Sequence, residues 1–464
     1  MISRVIRNTE AVAILLLILL SPASSFAQST KQQIEELKKQ IEIIQLQNQK
    51  QIEELKKQLE SLQNERAADQ EKLAEIKTKQ ETVDKDAWYN NFLAKYDKGF
   101  TFQSGDGNFK LRFRVNAQTQ FSINDTDDEL VATNFRIRRL QLRFDGYAFR
   151  PWFLYYLMID PASSQLLKDA YFTAAYQKEA APRIGQFKVP FYREELNSST
   201  SLQLVERSIV YDEFTLERER GTSVSGGLGA DNHFSYSAGV FNGDGINGTS
   251  VDSNLLYAGR IQFGLGGEDY KFDANSQFPT AKAYEIVPNF AKKPTFAVGA
   301  AIAALPGLDC ARKSPNGAVC DRIEELGFPQ SNFTTLTGDL NFKTSFFNIE
   351  GEYVGRWLAP ETSPQDTAYD QGFNVQGGVF FVPKTVELAG RFSFIDYDTS
   401  SSVVPADTSV SKTQWALTPG LNYYMSHDHR WKIQGDYSFV RNEYTLGEPD
   451  EDDNIFRLQL QAFF

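Results

Sequence analysis

Residues 454–464 read NIFRLQLQAFF. Phe456, Leu458, Leu460, Ala462 and Phe464 fall on one phase, and Arg457, Gln459, Gln461 and Phe463 on the other. A period of two with one apolar phase marks a β-strand whose two sides meet different surroundings. The same texture recurs upstream. Leu111, Phe113, Val115 and Ala117 alternate with Arg112, Arg114, Asn116 and Gln118, and Leu140, Leu142 and Phe144 alternate with Arg139, Gln141, Arg143 and Asp145.

Further alternating segments lie at 152–160, 168–176, 182–189, 221–229, 233–241, 256–264, 295–303, 333–342, 346–355, 373–381, 385–394, 413–423 and 430–439. With a strand at 100–110 and some uncertain splits, they come to about the number expected of an all-β, 16-stranded antiparallel transmembrane barrel, each strand roughly 9–11 residues long. A terminal strand ending on an aromatic residue such as Phe464 resembles the closing strand of bacterial outer-membrane barrels. Segment 424–430 reads as a short inner turn, and 305–330, 358–371, 397–411 and 443–453 as outer loops.

The amino-terminal segment supports export. Arg4 and Arg7, an apolar run from Ala11 to Leu20 and Ser25-Phe26-Ala27 form a signal-peptide pattern over residues 1–27. Ten apolar residues are too few for a membrane helix, which needs about 20. A mature membrane protein of this sequence is therefore expected to cross as a barrel. Hydrophobic residues make up 41% and mean hydropathy is −0.41, as expected when only alternate residues face lipid. The net charge of −12 argues against a nucleic-acid partner.

Residues 31–83 have no Gly, Pro or aromatic residue. Ile34, Leu37, Ile41, Ile44, Ile52, Leu55, Leu59, Leu62, Leu73 and Ile76 follow steps of three and four within each block, the seam of a coiled coil. The octet QIEELKKQ occurs at 33–40 and 51–58, an offset of five ideal helical turns. So narrow a stripe implies self-association, and a periplasmic position follows from export. Residues 84–98 read as a linker and 99–464 as the barrel.

Cys310 and Cys320 lie in a Pro- and Gly-rich stretch and, in an exported chain, read as a disulfide closing one loop. His427 and His429 flank Asp428, but a solvated turn is the simpler reading, so no metal and no cofactor is expected. A hydrolase needs a nucleophile backed by a base, and His233 has no recognisable partner pattern. An enzyme is not expected.

One block carries a family resemblance. FRIRRLQLRFDGYAF (135–149), WFLYYLMIDPA (152–162), LLKDAYFTAAY (166–176), PRIGQFKVPFYREELNSS (182–199), VERS (205–208) and RERGTSVSG (218–226) follow in order, and GVFNGDG (239–245) and 420–439 continue it. The set resembles the phosphate-selective porin O and P family. The resemblance implies a trimeric 16-stranded barrel in the bacterial outer membrane whose third outer loop, here about 191–220, folds inward to narrow the pore. It also implies an Arg ladder along the lumen and Lys at the constriction.

Basic residues recur at strand spacing at Arg112, Arg114, Arg139, Arg143 and Arg183, and residues two apart share a face about 7 Å apart. With Lys188 from the family segment they form the expected anion pathway, with Arg193, Arg207, Arg218 and Arg220 on the constriction loop. The opposing reading is an inward Arg braced by Asp145, Asp160 or Asp169. Arg136 and Arg138 fall on the outward phase unless a bulge lies at 138–139.

The expected function is passive diffusion of small solutes, anions such as phosphate favoured. The alternatives are a general or cation-preferring pore, suggested by the acidic residues of 191–220, and a mainly structural protein reaching toward the cell wall through its coiled coil. The partners implied are small inorganic anions, outer-membrane lipid and two further copies of the chain.

Overall fold

Alternating side chains require a sheet with two unlike faces, and the computed structural model of the chain has one. It describes residues 29–85, 92–127, 129–228, 233–249, 252–265, 294–311, 315, 317–404 and 408–464. The expected signal peptide lies outside the described residues. The chain divides into two units, one ending at Lys85 and one beginning at Asp86.

The first unit is a helix, α1 (Ser29–Lys85), about 85 Å long at 1.5 Å per residue. Its seam residues are exposed, Leu37 at 58% and Leu55 at 63%. An apolar stripe along an otherwise polar helix is surface that another stripe of the same kind could cover.

In the second unit, sixteen antiparallel strands close into a barrel, with two extra strands beside it. The extra pair is β1 (Phe92–Tyr96) and β2 (Phe100–Ser104). The first half of the wall is β3 (Lys110–Thr126), β4 (Glu129–Tyr147), β5 (Phe153–Ile159), β6 (Leu167–Ala174), β7 (Ala181–Lys188), β8 (Arg218–Leu228), β9 (Phe234–Phe241) and β10 (Leu256–Leu265). The second is β11 (Thr295–Leu308), β12 (Ser331–Lys343), β13 (Phe347–Pro360), β14 (Ala368–Val382), β15 (Val386–Asp396), β16 (Ser411–Tyr424), β17 (Trp431–Tyr444) and β18 (Glu451–Phe463).

Each strand pairs with its neighbours in sequence, and β18 returns to β3 from Phe463↔Asn116 to Asp453↔Thr126. Below that point Val115 and Phe464 exchange backbone hydrogen bonds of 2.7 and 3.0 Å. Strand β2 then takes over the same edge of β3, from Phe100↔Phe113 to Gln103↔Lys110.

Three details differ from the expected layout. Segment 100–110 is not a wall strand, because Phe100–Ser104 turns back onto β3. The expected linker 84–98 contains β1, which pairs with β2 from Phe92↔Ser104 to Tyr96↔Phe100. The wall strands also range more widely than the expected 9–11 residues, from 7 in β5 to 19 in β4.

The faces separate as the alternation requires. Leu458 and Leu460 are 45% and 46% exposed, while Gln459 and Gln461 between them are 2% and 0%. In β16, Leu417 and Leu421 point outward and Thr418 and Asn422 are buried inside. The burial is inverted relative to a water-soluble protein, since apolar side chains lie outside and amides, hydroxyls and charges inside. Exposed aromatics, Phe346, Phe381, Tyr423 and Trp431 among them, gather at the strand ends nearest Phe464, where a membrane barrel carries an aromatic girdle.

This assignment is testable on adjacent residues. Leu458→Arg is expected to cost roughly 2–4 kcal/mol near the midplane, measured by urea titration of protein refolded into lipid vesicles. Gln459→Arg, one position along, should cost clearly less. Equal costs would contradict the assignment of the two faces.

Candidate functional site

The connection between β7 and β8, residues 189–217, does not stay at the rim. It carries two short helices, α2 (Arg193–Leu196) and α3 (Ile209–Phe214), and most of its side chains are buried. A buried loop must find partners for its backbone, and the inward polar residues of the wall supply them. Ser199 O accepts from Gln118 (3.1 Å), Thr200 O from Gln461 (3.0 Å), and Leu202 O from Lys432 Nζ (2.8 Å) and Gln434 (3.2 Å). Gln203 O accepts from Asn422 (2.8 Å), and Val205 N–H donates to Asp436 (2.8 Å). These partners stand on β3, β16, β17 and β18, so the loop crosses the lumen from the wall it leaves to the wall opposite.

Four of the loop's acids, Glu194, Glu195, Glu206 and Glu213, lie within ion-pair distance of cations. Glu206 receives Arg138 Nη2 at 3.0 Å, Arg139 Nη2 at 3.3 Å and Gln120 Nε2 at 3.1 Å, with Arg136 at 3.5 Å. Burial by itself raises the Glu206 pKa, but Arg139 and Arg138 outweigh it and hold the carboxyl well below the usual carboxylate range. Glu195 lies 3.6 Å from Lys188, 3.4 Å from Arg207 and 3.2 Å from Arg218.

A bulge makes the first cluster possible. Gln118 faces Arg139 across the β3–β4 ladder, and the next pair is Thr119↔Ile137, so Arg138 is the extra residue. The added residue resets the alternation. Arg136 and Arg138 thereby reach Glu206 from the inside, and of the two readings offered by the sequence the bulge is the one found.

Between this loop and the β5–β6 connection lies a cavity of about 430 Å³. Strand β4 lines it with Arg138, Arg139 and Arg143, and β6, β7 and β8 with Lys168, Lys188 and Arg218. Arg207 of the loop, Arg391 of β15 and Arg457 of β18 complete nine cationic side chains, against four acidic ones, Asp160, Glu206, Asp212 and Glu217. Arg143 differs from its neighbours. It is 7% exposed and donates to Gln141 at 2.6 Å. Its Nε has no hydrogen-bond partner, and among the described residues no carboxylate lies within ion-pair distance of it.

The expected pathway residues therefore divide. Arg139, Arg143, Lys188, Arg207 and Arg218 meet at the cavity. Arg112 and Arg114 do not line it, and each binds one oxygen of Asp145 at 2.6 Å, the bracing arrangement. Arg183 lies over the Tyr171 ring, 4.3 Å from its centroid, with Nε donating to Thr173. Arg193 is bound to Glu350 at 2.7 Å against β13, and Arg220 donates to Gly248 O at 3.0 Å in the β9–β10 connection.

Arg391, Arg457 and Lys168 were absent from the expected set. Arg391 was recoverable from VELAGRFSF, where it shares a phase with Glu387 and Ser393 opposite Leu388 and Phe392. The sulfurs of Cys310 and Cys320 are bonded, with Cα atoms 5.4 Å apart. His429 is not in a solvated turn as expected, since it is 7% exposed and packs edge-on against Tyr424.

Replacing Glu206 by Gln leaves three guanidinium groups sharing a weaker acceptor. The expected loss is about 1–3 kcal/mol, read as a lower urea midpoint. An unchanged midpoint would mean that the cluster does not hold the loop.

Comparison with solved structures finds the same barrel fold in porins. An anion-selective porin from Comamonas acidovorans superposes with a TM-score of 0.50 at 9% identity, covering 76% of this chain and 99% of that one. The Salmonella typhi protein OmpF, in its complex with daunomycin, superposes with a TM-score of 0.50 at 12% identity, covering 80% of this chain and all of the other. At such identities the likeness is one of fold. Comparison with curated protein sequences finds no match. The barrel fold and the family match together support an outer-membrane channel for passive diffusion. The resemblance read from residues 135–226 is shown as a family match: residues 109–270 of this chain match phosphate-selective porin O and P.

Proposed function

We propose that this outer-membrane channel passes small anions in preference to cations, phosphate among them. The observation that carries the reading is the cavity beside the 189–217 loop, with nine cationic side chains against four acidic ones and Arg143 without a carboxylate partner. Guanidinium suits phosphate because its planar fork donates two hydrogen bonds at once. A pore must replace part of an ion's hydration yet release it, and hydroxyls of Ser198, Ser199, Thr418 and Ser438 beside the cations offer further exchangeable donors. The fold likeness to an anion-selective porin agrees with this reading. On it, the 189–217 loop is the constriction.

Reversal potentials across planar bilayers in a salt gradient test the sign. Anion preference is expected, with phosphate reducing chloride current. Arg143→Gln should lower the anion-to-cation permeability ratio, and Glu206→Gln should raise it. Cation preference in the unsubstituted protein would favour the general or cation-preferring pore and sink the phosphate reading.

The exposed seam of α1 supports a second proposal: the chain is a homotrimer whose helices associate on the periplasmic side, toward the cell wall. Apolar side chains at half to two-thirds exposure along an 85 Å helix (about 57 residues at 1.5 Å each) find cover in other copies of the same stripe. Deleting residues 31–83 should lower the temperature at which trimers dissociate in detergent while leaving unit conductance unchanged. Trimers of equal heat resistance would remove the helix from assembly.

A further inference from the structure

The inward loop is held from a second direction, by a feature that neither conduction nor solute choice explains. The β11–β12 connection carries a helix, α4 (Gly317–Glu325), in which Val319 and Ile323 are fully or almost fully buried. With Leu326 and Phe328 they join one apolar cluster with Val210 and Phe214 of α3 and with Val403 of the β15–β16 connection. Helices α3 and α4 are in direct contact.

Around that cluster runs a closed ring of polar contacts. Arg322 of α4 binds Asp370 of β14 at 3.2 Å, and Asp370 binds Arg356 of β13 at 2.7 Å. Arg356 binds Glu213 of α3 at 2.7 Å, and Glu213 accepts from Tyr397 Oη at 3.1 Å. The Arg322 guanidinium lies 5.0 Å from the Tyr397 ring centroid and closes the ring. The β13–β14 connection adds a clamp, as Gln365 Nε2 donates to both Leu326 O (3.1 Å) and Val403 O (2.9 Å). At the other end of the lever, Tyr211 and Asp212 of the same short helix α3 line the cationic cavity.

The disulfide ties this assembly to the wall. Cys310 stands two residues beyond the end of β11, and Cys320 stands within α4. Both are only partly buried, and the latch requires that a small thiol reagent reach the bond.

We propose that the Cys310–Cys320 bond is a redox-operated latch on the 189–217 loop. Closed, it holds α4 against α3 and keeps the ring intact. Opened, it releases α4 and lets α3 move in the lumen. Opening requires a dithiol: one thiolate attacks a cysteine sulfur and expels the other cysteine as thiolate, and the second thiolate then attacks the reagent's own sulfur in the mixed disulfide and expels the remaining cysteine. The reagent leaves as its cyclic disulfide, and two electrons and two protons pass to the protein as two thiols. Several packed elements meeting in one ring favour two discrete arrangements over gradual yielding.

The test uses full-length channels already inserted in planar bilayers, so folding without the bond is not at issue. Dithiothreitol is expected to shift the unit conductance and raise open-channel noise, and oxidised dithiothreitol to restore both. A Cys310→Ser, Cys320→Ser double variant should behave as reduced from the start and ignore the dithiol. Glu213→Gln should give the noise with the disulfide intact. In detergent, tryptic cleavage after Arg207 should accelerate on reduction, a readout that does not depend on conduction. Unchanged conductance and cleavage in protein whose two cysteines have become alkylable would overturn the latch. The latch rests on the channel reading for its consequence but not for its mechanics: a protein that forms no channels, yet shows the change in cleavage, would fail the channel reading and keep the latch.

Discussion

Everything else in the second unit depends on the backbone hydrogen bonds between β3 and β18. In hydrocarbon no water can satisfy an open sheet edge, so a strand assembly crosses a membrane only when its last strand returns to its first. The return runs from Phe463↔Asn116 to Asp453↔Thr126, and β2 continues it below Val115. Once closed, the sheet has no choice about its side chains. One phase faces lipid and the other fills the lumen, and that second phase is rich in amides and ions. Those inward groups make an inserted loop possible, because the loop's carbonyls need donors and Gln118, Gln461, Lys432, Gln434 and Asn422 provide them.

Four of the loop's acids serve the same architecture. Glu206 is shared by Arg136, Arg138 and Arg139, Glu195 by Lys188, Arg207 and Arg218, and Glu213 is held by Arg356. Glu194 accepts from Ser208 and lies 3.4 Å from Arg391. Sequence shows those four acids but not the cations that stand beside each of them, from the wall and, in Arg207, from the loop itself. The charge of −12 over the chain has no bearing on this, since potential inside a pore depends on where charges stand.

What sequence could disclose follows from the range of each interaction. Strand texture is local and was legible, down to the phase of Leu458 and Gln459. The family block was legible because its pieces occur in order. Cross-strand register is not local, and so the pairing of Arg112 and Arg114 with Asp145 on the neighbouring strand could be weighed but not decided. For Arg183 the sequence discloses the inward phase, but not Tyr171 and Phe187 beside it. FLAKY at 92–96 escaped notice because five residues with Lys95 in their midst carry too little pattern, and their partner at 100–104 supplies the reason they form a strand. The bulge at Arg138 was detectable as a conflict, three Arg in four positions on incompatible phases, before its resolution could be known.

Partial pairing also bears on transport in the proposed pathway. A row of bare guanidinium groups would bind a polyvalent anion so well that release would limit flux, whereas conduction needs binding that is favourable and still weak. Carboxylates already bonded to Arg138, Arg139, Arg207 and Arg218 lower what each guanidinium can offer an arriving ion while leaving its remaining N–H groups to donate. Arg143 alone on β4 lacks such a partner and is flanked by Gln141 and by the Phe463 ring, 5.3 Å away. In the proposed pathway Arg143 and Lys168, which make no ion pair among the described residues, would attract an arriving anion most strongly, among cations moderated by acids.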